Sequence, residues 1–282
     1  PARGHHRLGR ADLHDVILRA MHLVDSHCHL DRVDLSAYDG SFDAMLASAK
    51  AEGIEHMLCV SIDLESYPAM LKLVDDHPEV SVSVGVHPND HDRHEPTVEE
   101  LVELAAHPKN VAIGETGLDY FRSERESCDW QRERFRTHIR AANACQKPLI
   151  IHTRDAREDT IRILQEEHAE EAGGVMHCFT ETWEMAQQAM ELGFYISFSG
   201  IVTFKNAEEL RDVAMKVPIE RMLIETDSPY LAPTPYRGKP NEPKYVGRVA
   251  ETIAELRGID VDELATITRD NFYNLFKTAR AV

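Results

Sequence analysis

The sequence predicts an α/β protein built as a single TIM-like (β/α)8 barrel. Three observations carry this prediction: eight short apolar runs recur along the chain, amphipathic stretches separate them, and the connections are short. A chain of 282 residues also lies within the size range of one such barrel. An open doubly wound sheet is the alternative arrangement, but it gives no reason for the pattern of polar residues described below.

Each predicted strand is a short, mostly apolar segment, as expected for parallel strands that are buried on both faces. The eight segments are His22–Ser26, Ile54–Val60, Val80–Val86, Val111–Glu115, Leu149–His152, Gly174–His177, Phe194–Phe198 and Met222–Glu225. We expect crossover helices to join them, because parallel neighbours cannot be connected by a tight hairpin.

Between the strands, apolar residues recur at intervals of three and four, with charged residues on the opposite face, which is typical of amphipathic helices. The helices are predicted over Phe42–Ala51, Leu64–Asp75, Val98–Ala106, Asp129–Gln146, Arg157–Glu170, Trp183–Leu192 and Ala207–Lys216. The tail Lys244–Ala281 is expected to supply closing helices.

Residues 1–20 mix arginines, histidines and acidic residues without the apolar core of a signal peptide, and Met21 directly precedes the first strand. We interpret this segment as a leader or extension foreign to the native chain, in which Asp12–Arg19 has the pattern of a helical turn or two. Residues 21–282 are then the barrel, without a second domain.

Composition bears on location and partners. The net charge is −18, with 31 basic against 49 acidic residues, so a nucleic-acid substrate requires a local basic patch or metal ions. No apolar run approaches the ~20 residues that span a bilayer, and we expect no membrane partner. Five cysteines without CxxC pairs favour a reducing cytoplasm over a disulfide framework. A monomer is favoured.

Residues of metal-ligand type stand at the C-terminal ends of the predicted strands, where the active site of such a barrel lies. His27 and His29 are spaced i and i+2, so they share one face of the first strand. Four imidazoles and two carboxylates at one mouth are enough for two divalent ions, and the ligand types are compatible with Mg, Mn or Zn. The six residues are His27, His29, Glu115, His152, His177 and Asp227.

Seven motifs, in one order along the chain, resemble the TatD family of metal-dependent deoxyribonucleases, which are amidohydrolase-like barrels. They are SHCHLD, GVHPND, GETGLDY, IHTRDA, MHCF, ETDSPYLAP and RGKPNEP, and the resemblance extends from about Met21 to the C-terminus. It implies that the same six residues are the metal ligands. It also implies exonucleolytic removal of nucleotides from DNA ends, 3′→5′ on single strands.

Charge suggests roles for two of the ligands. Glu115 is expected to bridge both ions, because a carboxylate has two oxygens and an imidazole nitrogen cannot bridge. The ions would lower the pKa of a bound water and stabilise charge on the phosphoryl oxygens. Asp227 is expected to be the base that receives the water's proton, with a pure ligand role as the alternative. Glu225 either orients a ligand histidine or is a buried structural carboxylate.

Substrate contacts are expected from residues on or near the loops that follow the strands, namely His87, Arg154, Tyr120, Arg122 and Arg237. A rim of cations on an acidic body would attract a polyanion, and Tyr120 with its neighbour Phe121 has the chemistry to stack on unpaired bases. Solvated loop charges and packing aromatics are the alternatives. No helix-turn-helix or zinc-finger pattern is present, so we expect no sequence-specific binding of nucleic acid.

The sequence therefore predicts a cytoplasmic, divalent-metal-dependent hydrolase that acts on ester bonds, with TatD-type DNase as the favoured activity. Two alternatives stay open. One is hydrolysis of a small ester, lactone or cyclic amide, in which related barrels often use a carboxylated lysine where Glu115 stands here. The other is a non-catalytic metal-binding or partner-binding role.

Overall fold

A computed structural model describes residues 21–89 and 91–279. The predicted turn at Asp12–Arg19 and the interpretation of residues 1–20 as a leader therefore lie outside the described residues. Within the described ranges, eight strands form one parallel sheet in which each strand neighbours the next in chain order. The predicted (β/α)8 barrel is confirmed.

The eight strands lie close to their predicted positions. They are β1 (Leu23–Cys28), β2 (Ile54–Cys59), β3 (Val80–Val84), β4 (Asn110–Asp119), β5 (Leu149–Arg154), β6 (Gly174–Met176), β7 (Tyr195–Phe198) and β8 (Met222–Ile224). Beyond the strand ends, Asp227 N–H donates to His27 O at 2.9 Å, and His29 N–H donates to Ser228 O at 2.8 Å. These bonds join the last strand to the first and nearly close the barrel.

Nine α-helices occur in the described part of the chain. They are α1 (Phe42–Ala51), α2 (Tyr67–Val74), α3 (Val98–Ala105), α4 (Asp129–Cys145), α5 (Arg157–Glu166), α6 (Trp183–Glu191), α7 (Glu208–Lys216), α8 (Val246–Arg257) and α9 (Val261–Leu275). None of them is long and apolar enough to cross a membrane. The last two are the predicted closing helices. Asn271 of α9 donates to the carbonyls of Met222, the first residue of β8, and of Ile219 in the turn before it, so α9 packs at the N-terminal end of the barrel.

Two elements differ from the prediction by four residues at their C-terminal ends, the largest differences in extent. β4 continues to Asp119 rather than ending at Glu115, because Gly117 and Asp119 stay paired with His152 and Arg154 of β5. Helix α5 ends at Glu166 rather than Glu170, since His168 adopts a left-handed conformation that breaks the helical path. The extension of β4 matters for the site, because the whole GETGLD motif, residues 114–119, then lies in the strand that pairs with β5.

Candidate metal centre

The C-terminal strand ends bring all six predicted ligands together. A cavity of about 750 Å³ opens at this mouth, and five of the six line it, whereas His27 is buried at its edge. His29 follows β1, Glu115 lies within β4, and Asp227 follows β8. The arrangement is thus a direct consequence of parallel strands ending at one face.

Four donor atoms form a compact group on the β1 and β8 side. His27 Nε2 lies 3.3 Å from each of His29 Nε2, Glu115 Oε2 and Asp227 Oδ1. His29 Nε2 lies 3.3 Å from Asp227 Oδ1 and 3.7 Å from Glu115 Oε2. Tetrahedral bonds of about 2.0–2.1 Å to an ion separate their donor atoms by about 3.3–3.4 Å. The spacing and chemistry of this group therefore fit a divalent metal.

The other oxygen of Glu115 faces a second group of imidazoles. Glu115 Oε1 lies 2.9 Å from His177 Nε2 and 3.4 Å from His152 Nδ1. His87, predicted as a substrate contact, also lies beside it, with Nε2 at 3.3 Å. One carboxylate thus presents Oε2 to the first group and Oε1 to the second, which is the arrangement required of a bridging ligand.

Neighbouring acceptors hold the second nitrogen of three of these rings. His29 Nδ1 lies 2.9 Å from Val60 O, and His152 Nε2 lies 2.8 Å from Asp119 Oδ2. His177 Nδ1 lies 2.9 Å from Glu225 Oε1, in the orienting position considered for this residue. Such outer contacts fix the tautomer and direction of a metal-binding imidazole.

Glu225 also lies close to the ring of His27. The rings of His27 and His177 stack with centroids 3.7 Å apart and planes 9° from parallel. His27 Nδ1 and Glu225 Oε2 are both buried without a hydrogen-bond partner among the described residues. Because the ligand atoms of His27, His177 and Glu225 lie within 4.8 Å of one another, this carboxylate stands next to one ring from each group.

In this cluster, neighbouring charges shift the pKa values in the direction opposite to that of burial. Burial disfavours a charged imidazole at His27, but Glu115, Glu225 and Asp227 outweigh it and raise the pKa of His27 to about 9. Burial also disfavours ionised Glu115, yet the surrounding histidines hold the pKa of its carboxyl well below the ordinary value. The positive charge of protonated imidazoles therefore balances the negative charge of the carboxylates here. A bound cation would replace those protons.

A close approach of two strands makes the shared carboxylate possible. Gly117 has φ +140, and a Cβ built on it would lie 1.9 Å from His152 O. Only glycine allows β4 to run this close to β5 in that conformation. The position of Glu115 beside His152 therefore depends on Gly117.

The predicted substrate contacts divide into two groups. Arg122 and Arg154 line the cavity together with His87. Tyr120 does not, because its hydroxyl donates to Asp159 at 2.7 Å beside a separate cavity of about 340 Å³. Arg237 is also absent from the cavity lining, since its guanidinium lies over the ring of Phe204 at 3.7 Å. Contact of Tyr120 and Arg237 with substrate therefore stays a prediction, at positions outside the lining of this cavity.

Arg32 and Tyr230 are among the cavity-lining residues that were not identified from the sequence. Arg32 follows the His-X-His motif by three residues, and Tyr230 follows Asp227 by three. Each stands just beyond a proposed ligand. That proximity was the available signal, but a loop has no fixed period from which the direction of a side chain can be inferred.

Comparisons with known proteins agree on one family. A family model described as TatD related DNase matches residues 24–277. YcfH of Escherichia coli K12, named an uncharacterized metal-dependent hydrolase, is 52% identical over 257 residues, which cover 91% of this chain and 96% of YcfH. A protein of Escherichia fergusonii named 3′-5′ ssDNA/RNA exonuclease TatD is 36% identical over 240 residues, covering 83% of this chain and 92% of that protein.

A solved structure extends the agreement to three dimensions. The crystal structure of YJJV, a TatD homolog from Escherichia coli K12, superposes with a TM-score of 0.82 at 27% identity. The match covers 93% of this chain and 99% of that protein.

Proposed function

The chain belongs to the TatD-related DNase family of metal-dependent hydrolases, and we propose that it removes nucleotides from the 3′ ends of single-stranded DNA with two divalent metal ions. One observation carries the proposal: Glu115 presents its two oxygens to two groups of imidazoles beneath a cavity lined by arginines.

Each group of donors would hold one ion. His27, His29 and Asp227 Oδ1 would do so with Glu115 Oε2, and His152 and His177 with Glu115 Oε1. Divalent ions bound in this way supply an acidified water and stabilise negative charge on phosphoryl oxygens. Mg, Mn and Zn all remain candidates, because histidine and carboxylate ligands accept each of them.

The lining of the cavity suits an anionic substrate. Arg32, Arg122 and Arg154 contribute guanidinium groups, and Glu115 and Asp227 are the carboxylates among its described lining residues. Both carboxylates face the histidines, and Arg32 lies 3.9 Å from Asp63, so among the described residues the charges of Arg122 and Arg154 are left for substrate. A local cationic patch of this kind overcomes a net charge of −18 and attracts phosphodiesters.

Asp227 is the proposed proton acceptor. Its Oδ1 faces His27 and His29, which leaves Oδ2 to take a proton from water in the cavity. Burial disfavours ionised Asp227, but the hydrogen bonds from His27 and His29 outweigh it and hold the pKa of its carboxyl well below the ordinary value. An ionised carboxylate is what a proton acceptor requires.

Polarity and strand preference are proposed by analogy with the Escherichia fergusonii relative, whose name specifies 3′-5′ action on single-stranded DNA and RNA. We also propose a cytoplasmic monomer. All five cysteines are free thiols, which supports a reducing compartment.

The test is digestion of a 5′-labelled single-stranded DNA by protein that has been stripped of metal and then restored with Mg, Mn or Zn. We expect a ladder of products shortened from the 3′ end, dependent on metal. Asp227→Asn should lower the rate by at least about 100-fold, because the amide cannot accept the proton. Asp212→Asn, an exposed change on α7, is the matched control and should cleave normally.

Three results would contradict the proposal. Shortening from the 5′ end would overturn the polarity, and equal activity of Asp227→Asn would remove its role as base. Hydrolysis of lactones or cyclic amides, without cleavage of DNA or RNA under any metal, would favour the small-molecule hydrolase instead.

A further inference from the structure

Exposed aromatic side chains flank the central cavity. In the described ranges, large hydrophobic side chains are exposed at three positions, which are Phe121 at 55%, Met215 at 52% and Tyr230 at 51%. Tyr230 lines the cavity, and Phe121 contacts Arg154, which also lines it. Single exposed hydrophobic residues need no explanation, but two at the mouth of one cavity suggest an apolar or aromatic ligand there.

These two residues stand on opposite sides of the mouth. Phe121 follows β4 and contacts the end of β5, whereas Tyr230 follows β8. Because the eight strands neighbour one another in chain order, β4 and β5 lie across the barrel from β8 and β1. A substrate bound over the metal centre would therefore have an aromatic residue on each side.

On the β4 and β5 side, the guanidinium group of Arg154 lines the cavity and packs on the ring of Phe121. The guanidinium carbon of Arg154 lies 3.6 Å from the ring centroid of Phe121. Arg154 forms no ion pair with a carboxylate in the described residues. Planar guanidinium groups stack on aromatic rings and on nucleobases alike, so Arg154 can extend the stack from Phe121 to a base.

Backbone hydrogen bonds fix the chain at or next to both members of this pair, Phe121 and Arg154. Phe121 N–H donates to Asp119 Oδ1 at 3.0 Å, and Tyr120 N–H donates to Arg154 O at 2.9 Å. The second oxygen of Asp119 contacts His152, so the same carboxylate positions a proposed ligand and the aromatic residue beside it. The stack is thus preformed next to the second group of imidazoles.

On the opposite side, Tyr230 is fixed in the same manner. Its N–H donates to Asp227 O at 3.0 Å, and its carbonyl accepts from Asn241 Nδ2 at 2.7 Å. Its ring lies 6.0 Å from the ring of His29, edge to face. The exposed ring therefore stands beside the first group of donors with a rigid backbone beneath it.

We infer that Tyr230 and the Arg154–Phe121 pair are two base-stacking platforms that hold the unpaired nucleotides on either side of the scissile phosphodiester. The inference rests on the proposed function and adds the residues that would hold the bases of a single-stranded end. Stacking tolerates any sequence, because every base has a π-face. A base-paired end is a poor substrate, since its bases are already stacked within the duplex.

The test compares two 5′-labelled oligonucleotides, one with bases throughout and one with abasic tetrahydrofuran residues at its last two 3′ positions. Cleavage by metal-loaded protein is measured as kcat and KM for both. The variants are Arg154→Lys, which keeps the charge but loses the planar face, and Tyr230→Leu, which keeps an apolar side chain without a ring. Tyr230→Phe tests rescue, and Met215→Ala is the control at the third exposed hydrophobic residue.

We expect Arg154→Lys and Tyr230→Leu each to lower kcat/KM on the base-bearing strand about 10-fold, mainly through KM. Their ratio to wild type on the abasic strand should stay within about 2-fold, because no base is there to stack. The double variant should lose about 100-fold, as expected for two separate contacts. Tyr230→Phe should restore activity, and Met215→Ala should leave both substrates unaffected.

Equal losses on both strands would overturn the inference, because the residues would then act on phosphate or on the fold. Unchanged cleavage of the base-bearing strand by both variants would overturn it as well. If metal-loaded wild-type protein cleaves neither strand, the proposed function is wrong and the inference falls with it. If the wild type cleaves both strands at equal rates, the inference of base-stacking platforms is wrong, but the proposed function stands.

Discussion

Two sets of buried histidines in this protein behave in opposite ways. At the mouth, His27 and His177 are buried among carboxylates, which outweigh burial and raise the pKa of both imidazoles. Away from it, His56 and His138 are equally buried, and burial lowers the pKa of each to about 4. The same residue type thus has a raised pKa in one place and a lowered pKa in the other.

The partners of the two sets explain the difference. His56 Nε2 meets the hydroxyl of Ser81 at 2.7 Å, and His138 Nε2 accepts the N–H of Val86 at 2.9 Å. These partners are neutral, so no carboxylate among the described residues stabilises a proton on either imidazole. Carboxylates at the mouth leave negative charge that protons or metal ions must balance. Burial of a histidine is therefore no sign of function, whereas burial beside several carboxylates is.

Among the substitutions that separate the two sets of histidines, Glu115→Gln should have the largest effect on the set at the mouth. The substitution keeps the size of the side chain but removes the charge shared by both imidazole groups. We expect loss of bound metal and a fall in activity of about 10³-fold, since metal ions contribute several kcal/mol to such reactions. Metal content after dialysis, measured by mass spectrometry, and cleavage of labelled DNA check the result.

Glu209→Gln, an exposed change on α7, is the control for Glu115→Gln and should retain both metal and activity. Thermal unfolding of the two metal-free variants should show that both remain folded. Retention of two ions per chain by Glu115→Gln would contradict the role given to this carboxylate.

A smaller effect is expected from Glu225→Gln. Glu225 holds His177 and lies beside the unpaired Nδ1 of His27, so the amide should loosen one ring from each group. Changes to such outer contacts lower metal affinity by about 10- to 100-fold. Competition with a chelating dye measures the affinity at each step of binding. A weakening confined to one ion would show that Glu225 orients His177 alone.

A third effect concerns stability rather than metal. In the unfolded chain His56 has an ordinary pKa near 6.5, whereas in the fold its pKa is lowered to about 4. The unfolded state then binds more protons between these values, so the free energy of unfolding should fall as pH falls from 6.5 to 4. One such group contributes a slope of about 1.4 kcal/mol per pH unit.

His56→Gln should reduce that slope, as followed by urea unfolding of metal-free protein across the same pH range. His94, an exposed histidine beside Glu100, is the matched position, and His94→Gln should leave the slope at acid pH nearly unchanged. An identical slope in wild type and His56→Gln would show that His56 is not buried in its neutral form.

The sequence was sufficient to predict the parts of the site that are set by topology. His27, His152 and His177 come together because parallel strands end at one face, and the period of two in β1 places His29 near His27. Side chains on loops obey no such period. Tyr120 was predicted as a substrate contact but lies beside a separate cavity, and Tyr230 was missed although it stands three residues from Asp227.

The positions of the two oxygens of Glu115 show a further limit of prediction from sequence. Their division between imidazole groups depends on the close path of β4 past β5, which Gly117 permits but which the sequence alone does not reveal. From the apolar run alone, β4 was predicted to stop at Glu115. The bridging role was inferred from chemistry, and the geometry that supports it comes from the structure.

The most direct test of the shared carboxylate is titration of metal-free protein with Mn²⁺, followed by electron paramagnetic resonance. We predict two Mn²⁺ ions per chain with an exchange-coupled spectrum, because one carboxylate joins them. The coupling should disappear in Glu115→Gln. Binding of a single ion, or of two ions with the spectrum of isolated Mn²⁺, would contradict the account.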